Sequence, residues 1–245
     1  MAEIWIVLGA TSSMARAFSR SVAEDGAEVW VAGRDMADLE AQATDLAARG
    51  AAAARAFAFD ARDPASFDAL ITAAGASEAV VNCAVFVGSM PTQAEIDANA
   101  ALLAGVVADN YAGPASFLTR LAPIMEAKGA GAVVGVSSVA GDRGRIGNYV
   151  YGSAKAGFTT YLSGLRNRLN RSGAHVLTVK PGFVDTSMTW GIEGMFLVAP
   201  PTKVARDIRR ALSRKRNVIY TPGFWWLIMT IIKLIPEFLF KKLSV

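Results

Sequence analysis

The sequence predicts a single α/β domain built on a doubly wound parallel sheet, and two observations indicate it. Residues 4–8, Ile-Trp-Ile-Val-Leu, form an apolar run that ends at Gly9, which is typical of a strand buried on both faces of a parallel sheet. Further strand-like runs alternate with helical spans of ten or more residues. Because such folds often reach about 250 residues without dividing, the 245 residues fit one Rossmann-like domain.

The helices and strands are predicted from these apolar runs and from the residues that flank them. Helices are expected at residues 14–24 and 37–49, and further helical spans separate the later strands. Asp63 followed by Pro64 indicates a helix start, because Asp caps a helix and Pro fits its first position. No repeat or flexible linker divides the chain. Strands are expected at residues 4–8, 28–32, 54–59, 79–82, 132–136, 175–180 and 217–221.

The composition excludes several classes of protein. The single cysteine, Cys83, leaves no internal disulfide, and we expect a buried apolar residue there rather than a nucleophile. The single histidine, His175, rules out a histidine-rich metal site and is expected to be structural, so no metal is predicted. The first residues have neither the positive region nor the long apolar run of a secretory signal, which favours a cytoplasmic protein.

The formal net charge of +4 hides an uneven distribution of charge along the chain. Residues 1–202 contain 15 Lys or Arg and 19 Asp or Glu, whereas residues 203–245 contain 10 and two respectively. A mildly acidic body argues against a nucleic-acid-binding protein. The basic end is expected to meet an anionic partner.

Tyr151 and Lys155 are the strongest candidates for catalysis. They lie four residues apart in a helical span, so their side chains are expected on one face about a turn apart. An ammonium near a phenol lowers the pKa of the phenol from about 10. The pair is therefore expected to exchange a proton with a carbonyl or alcohol oxygen near neutral pH.

The surroundings of this pair resemble the short-chain dehydrogenase/reductase family, over residues 4–186. The strand predicted at residues 132–136 ends in Ser137 and Ser138, and Ser138 precedes Tyr151 by the family's usual thirteen residues. That interval favours Ser138 over Ser137. The resemblance implies that Ser138 orients the substrate oxygen, Tyr151 donates the proton, Lys155 binds the nicotinamide ribose and Asn110 holds a proton relay. It also counts Tyr151 and Lys155 among the cofactor-binding residues.

The turn after the first strand is the candidate site for the cofactor's phosphates. Small residues let the backbone approach a pyrophosphate, and a helix N-terminus supplies N–H groups. The family's Gly-x-x-x-Gly-x-Gly spacing is kept only at its first position, with serine and alanine at the other two. Ser13 is expected to be strained if its position requires a positive φ. The predicted contacts are Gly9, Thr11, Ser12, Ser13 and Met14.

The end of the second predicted strand favours NADP(H) over NAD(H). In NAD-dependent members of the family an acidic residue there binds the ribose diol, but here Gly33 takes that place and Arg34 follows. A guanidinium can bind a 2′-phosphate through charge-assisted hydrogen bonds, which a carboxylate would repel. Asp35 leaves the alternative that a shift of one residue brings a carboxylate to the ribose.

The resemblance implies further cofactor contacts after the later strands. Asp60 matches the aspartate that receives the adenine amino group. The family's Asn-Asn-Ala-Gly is matched by Asn82-Cys83-Ala84-Val85, in which Val85 replaces a glycine and indicates a different local backbone. The remaining implied contacts are Ala61, Asn82, Ala84, Pro181, Gly182, Val184 and Thr186.

Two C-terminal segments depart from the family pattern. Residues 187–202 are expected to form an apolar lid over a hydrophobic or lipid-linked substrate. Residues 1–223 would form the catalytic domain, and residues 224–245 an aromatic and basic tail. A twelve-residue apolar helix spans about 18 Å, short of the roughly 30 Å core of a bilayer. The tail is therefore expected to lie at an anionic membrane surface, or else in a dimer or tetramer interface.

These features predict an NADPH-dependent reductase of a hydrophobic or lipid-linked carbonyl compound, or the reverse alcohol dehydrogenase. Similar tails occur on family members that resemble the keto-sugar reductase acting on a prenyl-phosphate-linked pentose. The protein is expected in the cytoplasm, on the inner face of the membrane, and as a homo-oligomer. The alternative is a non-catalytic NADP(H)-sensing regulator on the same fold, which would be expected to lose the proton donor.

Overall fold

The predicted parallel sheet is confirmed in a computed structural model, which describes residues 2–186 and 197–243. Within these residues seven strands form one sheet in the order β3-β2-β1-β4-β5-β6-β7, and all neighbours are parallel. The strands are β1 Glu3–Leu8, β2 Glu28–Gly33, β3 Ala54–Ala58, β4 Val80–Val85, β5 Ala132–Val136, β6 His175–Pro181 and β7 Val218–Thr221.

Helices connect the strands and cover both faces of the sheet. The α-helices are α1 Ser13–Ala23, α2 Met36–Ala48, α3 Asp68–Ala76, α4 Gln93–Ala98, α5 Leu102–Val107, α6 Gly113–Lys128, α7 Tyr149–Asn170, α8 Pro201–Ser213, α9 Trp225–Leu234 and α10 Glu237–Phe240. Two 3-10 turns, Pro64–Phe67 and Val139–Asp142, and one π-helical turn, Ala108–Ala112, complete the described elements.

The alternation of side chains along β1 shows how the two layers form. Ile4, Ile6 and Leu8 lie in a core with residues of α3, α6 and α7, while Trp5 and Val7 lie in a second core with residues of α1, α2 and α8. Successive side chains of a strand point to opposite faces, so an entirely apolar strand must be covered on both.

The predicted start at Asp63 is confirmed, because its side chain accepts a hydrogen bond from the Ala65 N–H and caps the turn that Pro64 opens. The end predicted for the fourth strand was wrong, since β4 runs on to Val85. Val85 pairs with Leu8 and Gly135 in regular parallel register, so the valine there does not alter the local backbone.

Cys83 and His175 occupy the structural positions expected of them. Cys83 is fully buried in the core, and burial raises the pKa of its thiol. His175 opens β6, and its Nε2 lies 2.9 Å from the carbonyl oxygen of Arg216. Burial lowers the pKa of this imidazole.

Candidate active site

The predicted site residues converge at the carboxyl edge of the sheet. The strand order reverses direction at β1, whose neighbours are β2 and β4. In open parallel sheets ligands bind outside the carboxyl ends of the strands at such a switch point. Gly9 follows β1, Ser138 lies after β5, and Gly182 follows β6.

Tyr151 and Lys155 lie on one face of α7, as the spacing predicted. The Lys155 Nζ is 5.8 Å from the centre of the Tyr151 ring, and both side chains are buried. Lys155 Nζ donates to the carbonyl oxygens of Val136, at 3.1 Å, and Val87, at 3.5 Å. Burial among these neutral groups lowers the pKa of Lys155 to about 8.

The expectation that Lys155 lowers the pKa of Tyr151 was wrong. Burial raises the pKa of Tyr151 to about 12, and this exceeds the opposing effects of the Ser138 hydroxyl and the charge of Arg145. The same burial that disfavours a phenolate also disfavours the Lys155 ammonium. Tyr151 is therefore a phenol at neutral pH.

The two serines after β5 have different surroundings. The Ser138 hydroxyl lies near Tyr151 and acts to lower the pKa of its phenol, and the Ser138 Oγ accepts a hydrogen bond from the Ala140 N–H at 3.1 Å. Ser137 Oγ instead donates to the carbonyl oxygen of Lys155 at 3.0 Å and lies 2.7 Å from the Thr159 hydroxyl. The geometry thus favours Ser138, as the thirteen-residue interval did.

Asn110 lies in the π-helical turn that joins α5 to α6 and is completely buried. Its Nδ2 donates to the carbonyl oxygens of Ser89, at 2.7 Å, and Val106, at 3.0 Å. Its Oδ1 has no hydrogen-bond partner among the residues that the structure describes. A buried acceptor of this kind is available to a ligand or a proton relay.

Gly88 completes this cluster, and the sequence analysis missed it. A Cβ at Gly88 would lie 2.6 Å from Asn110 Oδ1 and 3.5 Å from Lys155 Nζ. Only glycine therefore leaves room between these two polar groups. A glycine three residues beyond the fourth position of the family's Asn-Asn-Ala-Gly would have been the signal to notice.

The turn after β1 fits the backbone of a phosphate-binding loop. Gly9 has φ of 72°, and a Cβ there would lie 2.9 Å from the Val87 nitrogen. Ser12 caps α1 by accepting from the Ala15 N–H, which directs the first helical N–H groups towards the edge of the sheet. Ser13 does not have a positive φ, so the condition for strain at that position is not met. Thr11 and Ser13 are exposed, and Met14 is half-buried.

Arg34 and Asp35 follow β2 at the same edge. Arg34 is exposed, while the Asp35 side chain caps α2 by accepting from the Asp38 N–H at 3.1 Å. The Asp38 carboxylate pairs in turn with Arg16. Asp35 is thus already engaged by the backbone, which favours Arg34 as the ligand-binding residue of the two.

The other predicted cofactor contacts are divided between the edge and the interior. Asp60 lies at the edge, with one carboxylate oxygen accepting from the Arg62 N–H at 2.9 Å, and Ala61 is buried beside it against Gly113. Asn82 does not point into the site. Its amide bridges the Ile4 carbonyl oxygen and the Ala132 N–H inside the sheet, and Ala84 is buried in the core.

The segment after β6 meets the tail. Pro181 ends β6, Val184 bridges to Ala199, and Thr186 is buried. A side chain at Gly182 would collide with the indole of Trp225. Most of the predicted lid, residues 187–196, lies outside the described residues, and α8 begins at Pro201, within the last residues of the predicted lid.

A buried ion pair fixes the turn that follows Ser138. The carboxylate of Asp142 pairs with Lys180 of β6 and accepts from the Tyr220 hydroxyl at 2.7 Å. Burial, together with this hydrogen bond, raises the pKa of Tyr220. Strands β6 and β7 are therefore tied to the turn through one carboxylate.

Arg143 binds the tail to the same turn. Its Nη1 donates to the carbonyl oxygens of Ile232 and Ile235, each at 2.6 Å, and its Nη2 donates to Glu237 at 2.9 Å. Its guanidinium also lies 3.7 Å from the centre of the Phe240 ring. A cation at the C-terminal carbonyls of α9 is favoured by the helix dipole, so Arg143 secures the helix from its end.

The tail forms two short helices, α9 and α10, which are separated at Pro236, and one face of the tail packs on the domain. Trp225 and Met229 are buried against Val139, which directly follows Ser138. In the described parts of the chain, no helix combines the length and the apolar character that crossing a membrane requires. The exposed apolar residues of the tail are Phe224, Trp226, Leu227, Ile231, Leu234, Phe238, Leu239 and Leu243.

Comparisons with known proteins agree with this geometry. Residues 3–195 match the family model of the short chain dehydrogenases. An uncharacterized oxidoreductase of Mycobacterium tuberculosis (strain ATCC 25618 / H37Rv) is 35% identical over 239 residues, which cover 97% of this chain and 96% of the relative. An uncharacterized oxidoreductase in the mprA 5′ region of Streptomyces coelicolor is 32% identical over 242 residues, covering 98% and 95%.

Solved structures share the fold. A short-chain dehydrogenase from Sphingobium yanoikuyae in complex with NADPH superposes with a TM-score of 0.82 at 21% identity, covering 97% of each chain. A variant of actinorhodin polyketide ketoreductase with NADPH superposes with a TM-score of 0.80 at 22% identity, covering 91% of this chain and 97% of the other. The family match and the full-length relatives show that the chain belongs to the short-chain dehydrogenase/reductase family and is an oxidoreductase.

Proposed function

We propose that this oxidoreductase uses NADPH to reduce a carbonyl group on an apolar or lipid-linked compound, or catalyses the reverse oxidation. The observation that carries the proposal is the cluster at the carboxyl edge of the sheet, in which the half-buried Ser138 lies beside the buried Tyr151, Lys155 and Asn110. A hydroxyl donor and a proton source beside a cation suit the negative charge that develops on a carbonyl oxygen during reduction.

The protonation states of Tyr151 and Lys155 suit the reduction of a carbonyl group. When bound, NADPH supplies the hydride that adds to the carbonyl carbon. Ser138 orients the carbonyl oxygen, and Tyr151 donates its phenolic proton to that oxygen, since a pKa of about 12 keeps it protonated at neutral pH. Lys155, with a pKa of about 8, can return a proton to the phenolate, and Asn110 Oδ1 offers an acceptor on the path to solvent.

The residues of the cofactor edge fit a dinucleotide. The positive φ of Gly9 and the capped N-terminus of α1 suit a pyrophosphate, and Gly88 leaves space beside Lys155 and Asn110. Arg34 supports a preference for NADPH, because it is exposed next to Gly33 whereas Asp35 is engaged in capping α2. A guanidinium there would bind the 2′-phosphate.

The decisive experiment follows NADPH oxidation over a panel of ketones and aldehydes that includes lipid-linked sugars. Tyr151→Phe is expected to lower turnover by about 100-fold or more while NADPH affinity barely changes, because only the proton donor is removed. Tyr149→Phe is the matched control, since its exposed hydroxyl binds Asp97 outside the cluster. Turnover by Tyr151→Phe at the wild-type rate would reject the assignment.

The same panel tests the alternative of an NADP(H)-sensing regulator. Such a protein would bind the cofactor tightly and oxidise none of it with any substrate. The retained proton donor, Tyr151, supports the enzyme instead. The relatives quoted above are not named as keto-sugar reductases, so that subtype stays a prediction for the panel.

Cofactor preference is tested by titrating NADPH and NADH in a calorimeter. Arg34→Ala is expected to weaken NADPH binding by about 1.5–3 kcal/mol, the value of a lost charged hydrogen bond, and NADH binding far less. Asp35→Asn keeps a capping side chain and should leave both affinities unchanged. Equal losses for both cofactors in Arg34→Ala, or a selective loss of NADH in Asp35→Asn, would reverse the assignment.

The exposed face of the tail supports a location at an anionic membrane surface on the cytoplasmic side. Beside the tail, a groove of about 330 Å³ reaches Gly223 and is lined by Lys203, Arg210, Arg214 and Arg216. Apolar residues next to a cationic groove complement the acyl chains and head groups of anionic lipid. A surface of this kind would also bring an apolar substrate to the catalytic cluster.

Co-sedimentation with anionic vesicles tests this location. Wild-type protein is expected to pellet, and to do so less at high salt because salt screens the basic groove. The double variant Trp226→Ser, Ile231→Ser should stay in the supernatant without loss of stability, since both residues are exposed, whereas Leu103→Ser on α5 should behave as wild type.

The competing homo-oligomer is measured in the same preparations by light scattering. A wild-type dimer or tetramer that stays in the supernatant, and that the double tail variant converts to a monomer, would replace the membrane surface with a subunit interface.

A further inference from the structure

Arg145 is a charged residue beside the catalytic cluster that none of the steps above uses. It lies on the loop between the turn after Ser138 and the start of α7, and it is half-buried. Its Nε is shielded from solvent and has no hydrogen-bond partner in the described residues. The ion pairs found within residues 2–186 and 197–243 do not include it.

The charged and titratable groups that act on Arg145 leave its charge uncompensated. Burial lowers the pKa of its guanidinium, and the only opposing contributions come from Tyr151 and Asp142 among the groups described. Asp142 already binds Lys180 and the Tyr220 hydroxyl, and Tyr151 is a neutral phenol. The Arg145 Nε–H is a donor shielded from water without an acceptor, and such a donor costs free energy that an oxygen of a ligand would offset.

The position of Arg145 makes a substrate the natural source of that counter-ion. The reacting oxygen must lie at Ser138 and Tyr151, and the charge of Arg145 acts on the Tyr151 hydroxyl. The loop around it is open, since side chains at Gly144 and Gly147 would meet no atom within 4 Å. The phosphate-binding turn and Arg34 lie instead after β1 and β2.

We infer that Arg145 binds an anionic group, a phosphate or a carboxylate, on the carbonyl compound that is reduced at Tyr151. The inference rests on the proposed function and narrows its substrate to an amphiphile that carries an anion near the reacting carbonyl. A guanidinium is suited to this because its planar fork pairs with two oxygens of either anion.

The test is calorimetric titration of the NADP⁺-loaded protein with octyl phosphate, octanoate and, as the neutral probe, octanol. The wild type is expected to bind both anions more tightly than octanol. Arg145→Ala should weaken the anions about tenfold or more, as expected for a lost charged hydrogen bond, and leave octanol unchanged. The stronger of the two anions identifies the group as phosphate or carboxylate.

Two further variants make the comparison specific. Arg145→Gln keeps most of the side-chain volume and should lose the anions as Arg145→Ala does, so it replaces Arg145→Ala if that variant fails to bind NADP⁺. Arg171→Ala removes an exposed arginine 20 residues after Tyr151, about 30 Å away if the helical rise continued, and should bind every probe as wild type does.

The inference is overturned if the anions bind wild type and Arg145→Gln equally, or bind neither. It is also overturned if the only effect of Arg145→Gln is a higher apparent pKa for turnover of a neutral ketone, which would make Arg145 a positioning residue for Tyr151. Failure of the proposed function is separate, because Arg145-dependent anion binding without NADPH oxidation on any substrate would refute reduction and retain the anion site.

Discussion

Lys155 and Lys180 are both buried at the carboxyl edge of the sheet, but their partners differ. Lys155 donates to two main-chain carbonyl oxygens, which are neutral and cannot titrate. Lys180 pairs with the carboxylate of Asp142, which is also buried. One cation lies in α7 beside Tyr151, and the other links β6 to the turn after Ser138.

The two lysines have different roles because their partners differ in charge. Neutral acceptors do not offset the cost of burying a charge, so the pKa of Lys155 falls to about 8 and its proton becomes available. A carboxylate does offset that cost, and the resulting pair becomes expensive to break. Lys155 is thus suited to proton transfer and Lys180 to fixing the loop that carries Ser138.

Breaking the ion pair between Lys180 and Asp142 should lower stability more than any other change considered below. Lys180→Met leaves the buried Asp142 carboxylate uncompensated, so the free energy of unfolding in urea should fall by about 3–5 kcal/mol. Lys203→Met breaks the more exposed pair with Asp207 and should cost about 1 kcal/mol or less. A similar small loss in both variants would mean that the Asp142 pair does not hold the turn.

The pH dependence of stability should report on Lys155. Because its pKa is lower in the folded than in the unfolded state, the folded protein binds fewer protons between about pH 8 and 10.5, and stability rises with pH there. The rise should reach at most about 3 kcal/mol. Above about pH 10 the raised pKa of Tyr151 acts in the opposite direction, and its contribution is lost by about pH 12.

Urea unfolding at pH 7.5 and 9.5, without cofactor, measures this rise. Lys155→Met removes the titrating group and should reduce the gain relative to wild type, while Lys203→Met should retain it. An equal gain in wild type and Lys155→Met would assign the pH dependence to other groups.

A smaller effect, on kcat, is expected from a substitution that adds a methyl group beside Lys155 and Asn110 and changes no charge. Gly88→Ala places a methyl group 2.6 Å from Asn110 Oδ1, so kcat should fall by about tenfold as the cluster shifts. Gly164→Ala in α7 meets no atom within 4 Å and should leave kcat unchanged while stabilising the helix by about 0.5–1 kcal/mol. Unchanged kcat in Gly88→Ala would show that this space is not needed.

The sequence predicted the features that depend on residues close together in the chain. The parallel sheet follows from apolar runs such as residues 4–8, and the juxtaposition of Tyr151 and Lys155 follows from helical spacing. Asn82 was misjudged because a motif position does not reveal that its amide bridges Ile4 and Ala132 inside the sheet.

The contacts of Asp142 and Arg143, in the turn after Ser138, could not be predicted from local patterns. Asp142 contacts Lys180 and Tyr220 at sequence separations of 38 and 78 residues, and Arg143 contacts Ile235 at a separation of 92. The raised pKa of Tyr151 has a similar origin, since burial depends on everything packed around the ring. Local spacing contains no information about such partners.

The contact between Arg143 and the tail has a consequence for the order in which the site is completed. A ribosome releases the chain from its N-terminus, so all seven strands exist before α9 and α10 are made. The carboxyl edge of the sheet is therefore synthesised before α9, the helix against which Val139 packs. The contacts of Arg143 with Ile232, Ile235 and Glu237 can therefore form only after the whole sheet has been synthesised.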